Sequence, residues 1–349
     1  MEEKQIINND NRNSFSHIKI WAFVLFLMII ISFCLGRYPI SLNQLFEWLY
    51  MAISDWSSIK DDGLTHVICH IRFPRILTAV ITGAALAAAG AAYQGIFCNP
   101  MVSPDILGAS TGAGFGAAIG ILFSLSFFGI QVTAFLFGLV AVSLSLFITA
   151  SVGRVYNVIL VLVLAGMIVS SMFGSFISVA KYLADPYSQL PEITFWLMGS
   201  LTSIDTDAIK IAVPIVLSGL ILLYLIRWRI NIMTFGDEEA KALGVNTKAV
   251  RLIVITAATL ITSTVVSICG QIAWIGLIIP HFARMLTGPD YNRLLPLSIL
   301  IGGTYLLVVD NIARTAMRTE IPLGIITSLI GAPFFIYLLL RLGKRKNIQ

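Results

Sequence analysis

Charged residues are scarce in this 349-residue sequence: Asp, Glu, Lys and Arg make up 12% of it, whereas soluble domains carry about 25%. Hydrophobic residues make up 57%, and the mean hydropathy is +0.89. This composition excludes a sizeable soluble domain and predicts an all-α integral membrane protein with about ten transmembrane helices. The net charge of +5 does not indicate nucleic-acid binding, because basic residues in a membrane protein mostly mark its cytoplasmic side.

The residues that catalysis and cofactor binding require are also missing. The four cysteines are scattered and form no C-x-x-C pair, which argues against a metal site or a disulfide framework. They are Cys34, Cys69, Cys98 and Cys269. There is no G-x-x-x-x-G-K-[ST] phosphate-binding loop and no plausible set of nucleophile, base and metal ligands. The chain is therefore predicted not to be an enzyme and to bind no cofactor; if ATP drives it, another polypeptide hydrolyses the ATP.

Acidic residues are almost confined to the polar segments, with Asp310 at the end of an apolar one. A secondary transporter driven by ions would carry acidic residues within its spans as ion or proton sites. This class is the alternative to an ATP-driven transporter, and the distribution of carboxylates disfavours it.

Apolar segments recur along the whole chain. The predicted spans are residues 20–36, 76–96, 108–128, 131–152, 158–179, 208–226, 252–269, 272–286, 294–309 and 321–340. Residues 1–19 are predicted to be a polar, disordered cytoplasmic tail, residues 20–341 a single transmembrane domain, and residues 342–349 a basic cytoplasmic tail. The first apolar run lacks an A-x-A cleavage site and is interpreted as an uncleaved span.

Alternating these spans across the membrane predicts the orientation of the chain. With the N-terminus inside, 15 of the 23 Lys and Arg residues fall in inside segments and 8 in outside segments. Because inside loops carry the excess of Lys and Arg, both termini are predicted to be cytoplasmic.

The longest charged segment in the second half of the chain, residues 236–244, lies between two predicted spans. It is predicted to form a short helix with Asp237 as N-cap, with Glu238 and Glu239 in the first turn, where the helix dipole favours negative charge, and with Gly244 as C-cap. Its candidate functional residues are Gly236, Asp237, Glu238, Glu239, Ala240, Leu243 and Gly244.

This helix either joins two spans or contacts a cytosolic partner. Ala240 and Leu243 would form a small apolar face at i and i+3. The sequence pattern G-D-E-E-A-x-x-L-G resembles the coupling-helix motif of ATP-driven importer permeases of the FecCD type. That family handles ferric siderophores, haem and cobalamin.

Other segments resemble the same family in their order and spacing, from about residue 71 to the end of the tenth span. They are Ile71-Arg72-Phe73-Pro74-Arg75, Ala89-Gly90-Ala91-Ala92-Tyr93-Gln94-Gly95, Asn99-Pro100, Pro104-Asp105-Ile106-Leu107-Gly108, Gly276-Leu277-Ile278-Ile279-Pro280-His281-Phe282-Ala283-Arg284, Asp310-Asn311-Ile312-Ala313-Arg314 and Glu320-Ile321-Pro322-Leu323-Gly324. The combination is far more specific than any one motif.

The resemblance implies the fold of a type II ABC importer permease, with a second permease subunit (a copy or a paralogue), a cytosolic ATPase dimer and an extracytoplasmic binding protein as partners. It implies that residues 236–244 couple to the ATPases and that Arg72, Arg75 and Arg314 dock the binding protein. The interval from Arg314 to Glu320 is one residue shorter than in relatives, so Arg318 is an alternative. The implied cargo is an iron–siderophore complex, haem or cobalamin, with an oxyanion such as molybdate as the alternative.

Several residues keep more than one interpretation. His281 either bonds backbone groups freed by Pro280 or acts in transport. His66 and His70, at i and i+4, could contact a metal or haem, but no carboxylate or second pair supports this. A run of glycines spaced by four predicts close helix packing rather than phosphate binding. These are Gly108, Gly112, Gly116 and Gly120.

Overall fold

A computed structural model describes residues 2–54, 62–152, 158–202, 204 and 206–346 of the chain. Met1, Lys60, Arg154 and residues 347–349, which enter the predicted tails and the charge count, lie outside the described residues. Within the described ranges all regular structure is helical, which confirms the predicted all-α class.

Fifteen α-helices follow one another along the described chain. They are α1 Glu2–Cys34, α2 Leu42–Ser54, α3 Gly63–His66, α4 Phe73–Ile96, α5 Ala109–Leu122, α6 Phe127–Val152, α7 Val158–Leu183, α8 Gln189–Met198, α9 Thr206–Leu225, α10 Arg227–Met233, α11 Asp237–Ala242, α12 Thr247–Cys269, α13 Ile275–Thr287, α14 Tyr291–Thr315 and α15 Leu323–Lys346. A π-helical turn, Val67–Arg72, joins α3 to α4, and a 3₁₀ turn, Pro104–Leu107, precedes α5.

Ten apolar helices match the predicted number of spans. In the described part of the chain, seven are long and apolar enough to cross a membrane. Three shorter ones complete the set: Ala109–Leu122, Ile275–Thr287 and Leu323–Tyr337. Short helices beside long ones are possible because a helix surrounded by other helices does not need to cover the full bilayer thickness by itself.

Several helix boundaries differ from the prediction, and three of the differences have a clear structural basis. Helix α1 begins at Glu2, so the predicted disordered tail is helical; residues 2–19 contain no Gly or Pro that would stop the helix. The second span begins at Gly63 rather than at residue 76. Arg72 and Arg75, which suggested a loop, are buried in the helix assembly. The third span ends at Leu122, where Phe123 caps the helix and Ser124 adopts a positive φ of 50°.

Helix α4 lies at the centre of the assembly. In the most apolar stretch of Gly63–Ile96, 83% of the residues are buried, against 6% in Ser16–Cys34. Its small residues allow backbones to touch, since a Cβ on Gly83 would lie 2.1 Å from the carbonyl oxygen of Gly302 and one on Gly90 would lie 1.9 Å from that of Gly276. Close contacts of this kind take the place of the hydrophobic effect between helices in lipid.

The predicted glycine run packs α5 against α6. A Cβ on Gly112 would lie 2.5 Å from the carbonyl oxygen of Phe137, and one on Gly116 would lie 2.3 Å from that of Thr133. The packing interpretation is confirmed for these positions. Gly108 serves differently: it precedes α5 with a φ of +88°, a conformation that glycine adopts without strain.

Candidate functional sites

Helix α11 is a short surface helix between α10 and α12. Its N-cap is Gly236, with a φ of +106° and no side-chain hydrogen bond to the helix, so the prediction that Asp237 caps it is wrong. Asp237 is instead the first helical residue, and its carboxylate accepts a hydrogen bond of 2.6 Å from Arg251. In this pair both the donor and the acceptor are charged, so the carboxylate of Asp237 is directed toward α12 rather than toward the first amides of its own helix.

Two contacts fix α11 against the body of the protein. The ion pair joins it to α12, because Arg251 is buried there while Asp237 is partly exposed. The side chain of Ala240 is fully buried, and its carbonyl oxygen accepts a hydrogen bond of 2.9 Å from the amide of Val245. The C-cap is Leu243, and Gly244 follows with a φ of +79°, the left-handed conformation that ends many helices.

The outward surface of α11 combines acidic and apolar groups. Glu238 and Glu239 occupy the first turn, as predicted, and both are exposed. The expected apolar face is divided, since Ala240 packs inward while Leu243 is 64% exposed. An anchored helix with exposed carboxylates and an exposed leucine is suited to transmit a push from a contacting protein.

The opposite end of the assembly holds a cluster of arginines. This arginine end is defined by Arg37, Arg72, Arg75, Arg314 and Arg318. Arg75, on α4, is 9% exposed and binds two carboxylates at once. Its Nε and Nη2 lie 2.9 and 2.8 Å from Oδ1 of Asp310, and its Nη1 and Nη2 lie 3.0 and 2.8 Å from the two oxygens of Glu320.

Glu320 lies in the loop between α14 and α15 and also accepts a hydrogen bond of 2.8 Å from Thr202. Partial burial would raise the pKa of this carboxyl group, but the hydrogen bonds and charge of Arg75 outweigh that effect and hold the pKa below its ordinary value. The pair therefore keeps Glu320 ionised and ties this loop to α4.

The other two predicted docking arginines also bond to groups of this protein. Arg72, 3% exposed, donates to the carbonyl oxygens of Phe33 and Tyr38. Arg314, 7% exposed, donates to the carbonyl and hydroxyl oxygens of Ser32 at 2.7 Å each, and its Nε lies 3.7 Å from Asp310. The structure thus places all three arginines at one end of the protein but turns them inward, toward α1, α4 and α14.

Sequence reasoning missed Asp310 and Glu320 as the partners of Arg75. A signal was available, because an arginine within a span requires a compensating carboxylate, and these two are the acidic residues that flank the end of α14. The exposed arginines of this end are Arg37 and Arg318. Arg37 donates a hydrogen bond to the carbonyl oxygen of Arg318, which joins the loop after α1 to the loop after α14.

Two adjacent cavities open at the arginine end, and both are lined by Arg37 and Arg318. The first, about 610 Å³, has Arg314 and residues 315–317 as further walls. The second, about 750 Å³, extends to the start of α6, to α8 and to the C-terminal end of α12. Both volumes fall in the range of small-molecule sites, roughly 300–1,000 Å³.

Among the described residues, the histidines do not belong to a group of side chains suited to a metal. The rings of His66 and His70 lie 5.1 Å apart, but no group of three His, Cys, Asp or Glu side chains suited to a metal occurs in the described ranges. His281 is partly exposed on α13. One turn further on, Arg284 donates a hydrogen bond of 3.0 Å to the side chain of Gln94, which links α13 to α4.

The FecCD transport family model matches residues 24–341 of the chain. The chain belongs to the FecCD transport family. This FecCD permease is therefore the membrane-spanning subunit of a binding-protein-dependent ABC importer, and ATP is bound by the partner ATPase rather than by this chain. It is a multi-pass membrane protein.

Relatives of the FecCD permease differ in their named cargo. It is 39% identical over 323 residues to the molybdate import system permease protein MolB of Haemophilus influenzae, covering 92% of this chain and 94% of that protein. It is 35% identical over 299 residues to the hemin transport system permease protein HmuU of Yersinia pestis, covering 84% and 88%. Family membership alone therefore does not decide the cargo.

A solved structure supports the fold over nearly the whole chain. The chain superimposes on an inward-facing conformation of a metal-chelate type ABC transporter with a TM-score of 0.81 and 36% sequence identity. The superposition covers 94% of this chain and 99% of the solved one.

Proposed function

We propose that this FecCD permease translocates a small oxyanion of the molybdate type across the cytoplasmic membrane by ATP-driven alternating access. The observation that carries the proposal is the 39% identity to a molybdate permease over 92% of the chain. Two cavities bordered by exposed arginines at one end of the protein support it, since guanidinium groups bind oxyanions with paired hydrogen bonds.

An iron–siderophore complex, haem or cobalamin is the second candidate cargo. The 35% identity to a hemin permease favours it. Such a ligand is large and carries a broad apolar or chelating surface, and a cavity formed with a second permease subunit would have to enclose it.

Energy coupling is assigned to residues 236–244. ATP binding would close the ATPase dimer against α11, and the exposed Glu238, Glu239 and Leu243 are the groups available for that contact. Because Asp237 is paired with Arg251 on α12, a displacement of α11 would reach a long, buried helix directly. Two arrangements of the spans, each favoured by one state of the ATPases, constitute the switch.

The two ends are assigned by charge. The bias of 15 against 8 basic residues supports cytoplasmic termini, and this orientation also places α11 in the cytoplasm and the arginine end outside. A binding protein would then meet the arginine end. Arg72, Arg75 and Arg314 remain the predicted docking residues, although they contact this protein's own groups; Arg318 is the exposed alternative.

The test is uptake into proteoliposomes that contain this permease with its own ATPase and binding protein. Labelled molybdate, a ferric siderophore, haem and cobalamin are supplied separately. ATP-dependent accumulation of molybdate alone is the expected result. Accumulation of haem or a siderophore in place of molybdate would refute the proposed cargo, and uptake that follows an ion gradient without ATP would refute the mechanism.

A further inference from the structure

The two cavities at the arginine end share two lining residues. Arg37 and Arg318 line both cavities and therefore stand at the boundary between them. Both side chains are exposed, and no ion pair joins either guanidinium to a carboxylate among the described residues. Arg37 also donates a hydrogen bond to the carbonyl oxygen of Arg318, and its charge acts on Glu320 without forming an ion pair. The remaining positive charge of the two arginines is open to a ligand.

The ionisable residues that line the smaller cavity are all basic. Its ionisable walls are Arg37, Arg314 and Arg318, and no carboxylate side chain lines it. Arg314 is partly neutralised by Asp310 at 3.7 Å, so the two exposed arginines supply most of the free positive charge. A cavity of about 610 Å³ whose only charged residues are arginines favours an anion over a cationic ligand.

The larger cavity offers hydrogen-bonding groups beyond the two arginines. Gln131 lines it, is only 7% exposed, and its amide nitrogen has no hydrogen-bond acceptor among the described residues. A buried amide donor without a partner is unusual and points to a ligand or water acceptor. Glu192 and Glu320 also line this cavity, and Arg75 compensates the charge of Glu320.

We propose that Arg37 and Arg318 form an entry site that captures the oxyanion cargo before translocation, with Gln131 as a donor on its inward side. The inference rests on the proposed function for the nature of the cargo. A tetrahedral oxyanion presents several acceptor oxygens, and guanidinium and amide groups are the donors that bind such oxygens. A carboxylate of a binding protein is the competing occupant of the same two arginines.

Direct binding distinguishes the two occupants. The full-length permease is placed in lipid nanodiscs without ATPase or binding protein, and its affinity for labelled molybdate is measured by equilibrium dialysis, with tungstate and haem as competitors. Arg37→Gln and Arg318→Gln are each expected to weaken molybdate binding roughly tenfold or more. Arg37→Lys and Arg318→Lys should restore part of the affinity, because they keep the charge but lose the fork.

Lys210→Gln is the matched control, because it removes a basic residue that lines neither cavity. It should leave molybdate affinity unchanged. The affinity of the binding protein for each variant is measured in parallel, and thermal melting verifies that each variant is folded.

Unchanged molybdate affinity in both arginine variants would overturn the entry site, as would variants that lose affinity for the binding protein but not for molybdate. If the complete transporter accumulates molybdate while the isolated permease binds none, the entry site is refuted and the proposed function stands. If the transporter accumulates only haem or a siderophore, the proposed function itself fails.

Discussion

Replacing Asp310 with Asn should destabilise the permease strongly, because Asp310 joins two arginines in the interior of the arginine end. Its side chain is fully buried, lies 2.8 Å from Nη2 of Arg75 and 3.7 Å from Nε of Arg314. Each such pair is worth about 4 kcal/mol of Coulomb attraction at an effective dielectric constant near 20 and 4 Å separation. The substitution removes the charge while keeping the shape of the side chain.

The net loss in the free energy of unfolding is smaller than the sum of these two attractions. Arg75 keeps its bidentate bond to Glu320, so the principal damage is to Arg314, which loses its carboxylate partner. Removing one partner of a buried ion pair typically costs about 3–5 kcal/mol. In a chain of 349 residues this loss of free energy corresponds to a melting temperature lower by about 4–7 °C.

The assay is thermal melting of the permease in nanodiscs, with Asp207→Asn as the matched control. Asp207 pairs with Lys210 at 2.7 Å, but both side chains are more than two-thirds exposed, at 79% and 71%. An exposed pair contributes little because water and salt screen it. Asp310→Asn melting no lower than Asp207→Asn would refute the inference that the buried cluster holds α4 and α14 together.

Three further outcomes are expected. Glu239→Arg should abolish ATP-dependent uptake while the melting temperature stays near that of the parent protein, because Glu239 is exposed on α11 and supports no buried contact. Gly90→Val should prevent assembly or lower the melting temperature by at least several degrees, because even a Cβ would lie 1.9 Å from the carbonyl oxygen of Gly276. Glu320→Gln should lower the melting temperature at neutral pH but not in acid: the carboxyl group's pKa is below its ordinary 4.5 in the folded protein, so its stabilisation is present above that value and is lost as the pH falls through the folded pKa.

Each of these three predictions would be contradicted by a specific result. Full transport by Glu239→Arg would remove the coupling role from α11, and Lys248→Glu on the neighbouring exposed turn serves as its charge-reversal control. Gly174→Val, at a glycine of α7 with nothing within 4 Å of an added Cβ, controls for glycine substitution outside the helix contacts and should cost far less than Gly90→Val. A Glu320→Gln deficit that persists in acid would mean that shape rather than charge matters at Glu320.

Much of the architecture followed from local properties of the sequence. The low content of charge and the repeated apolar runs predicted the all-α membrane class and the number of spans. An apolar segment in lipid has to satisfy its backbone hydrogen bonds within itself, and an α-helix does so. The glycine spacing predicted that α5 packs closely, and the charged stretch at residues 236–244 predicted an exposed helix with its acidic residues in the first turn.

Other features depended on partners that are distant in sequence. Arg72 and Arg75 carry the same charge and spacing whether they face solvent or the interior, and only the assembled helices show that Arg75 meets Asp310 across 235 residues and Glu320 across 245 residues. The N-cap at α11 was mispredicted for the same reason, since Asp237 is drawn to Arg251 on the next helix.

The sequence by itself determined which segments enter the membrane, since transfer from water to lipid depends on the composition of each segment. Only the tertiary structure decided which charges are neutralised within the protein and which remain free for a ligand, because charge pairing depends on distance in space. That distinction separates the buried Arg72, Arg75 and Arg314 from the exposed Arg37 and Arg318.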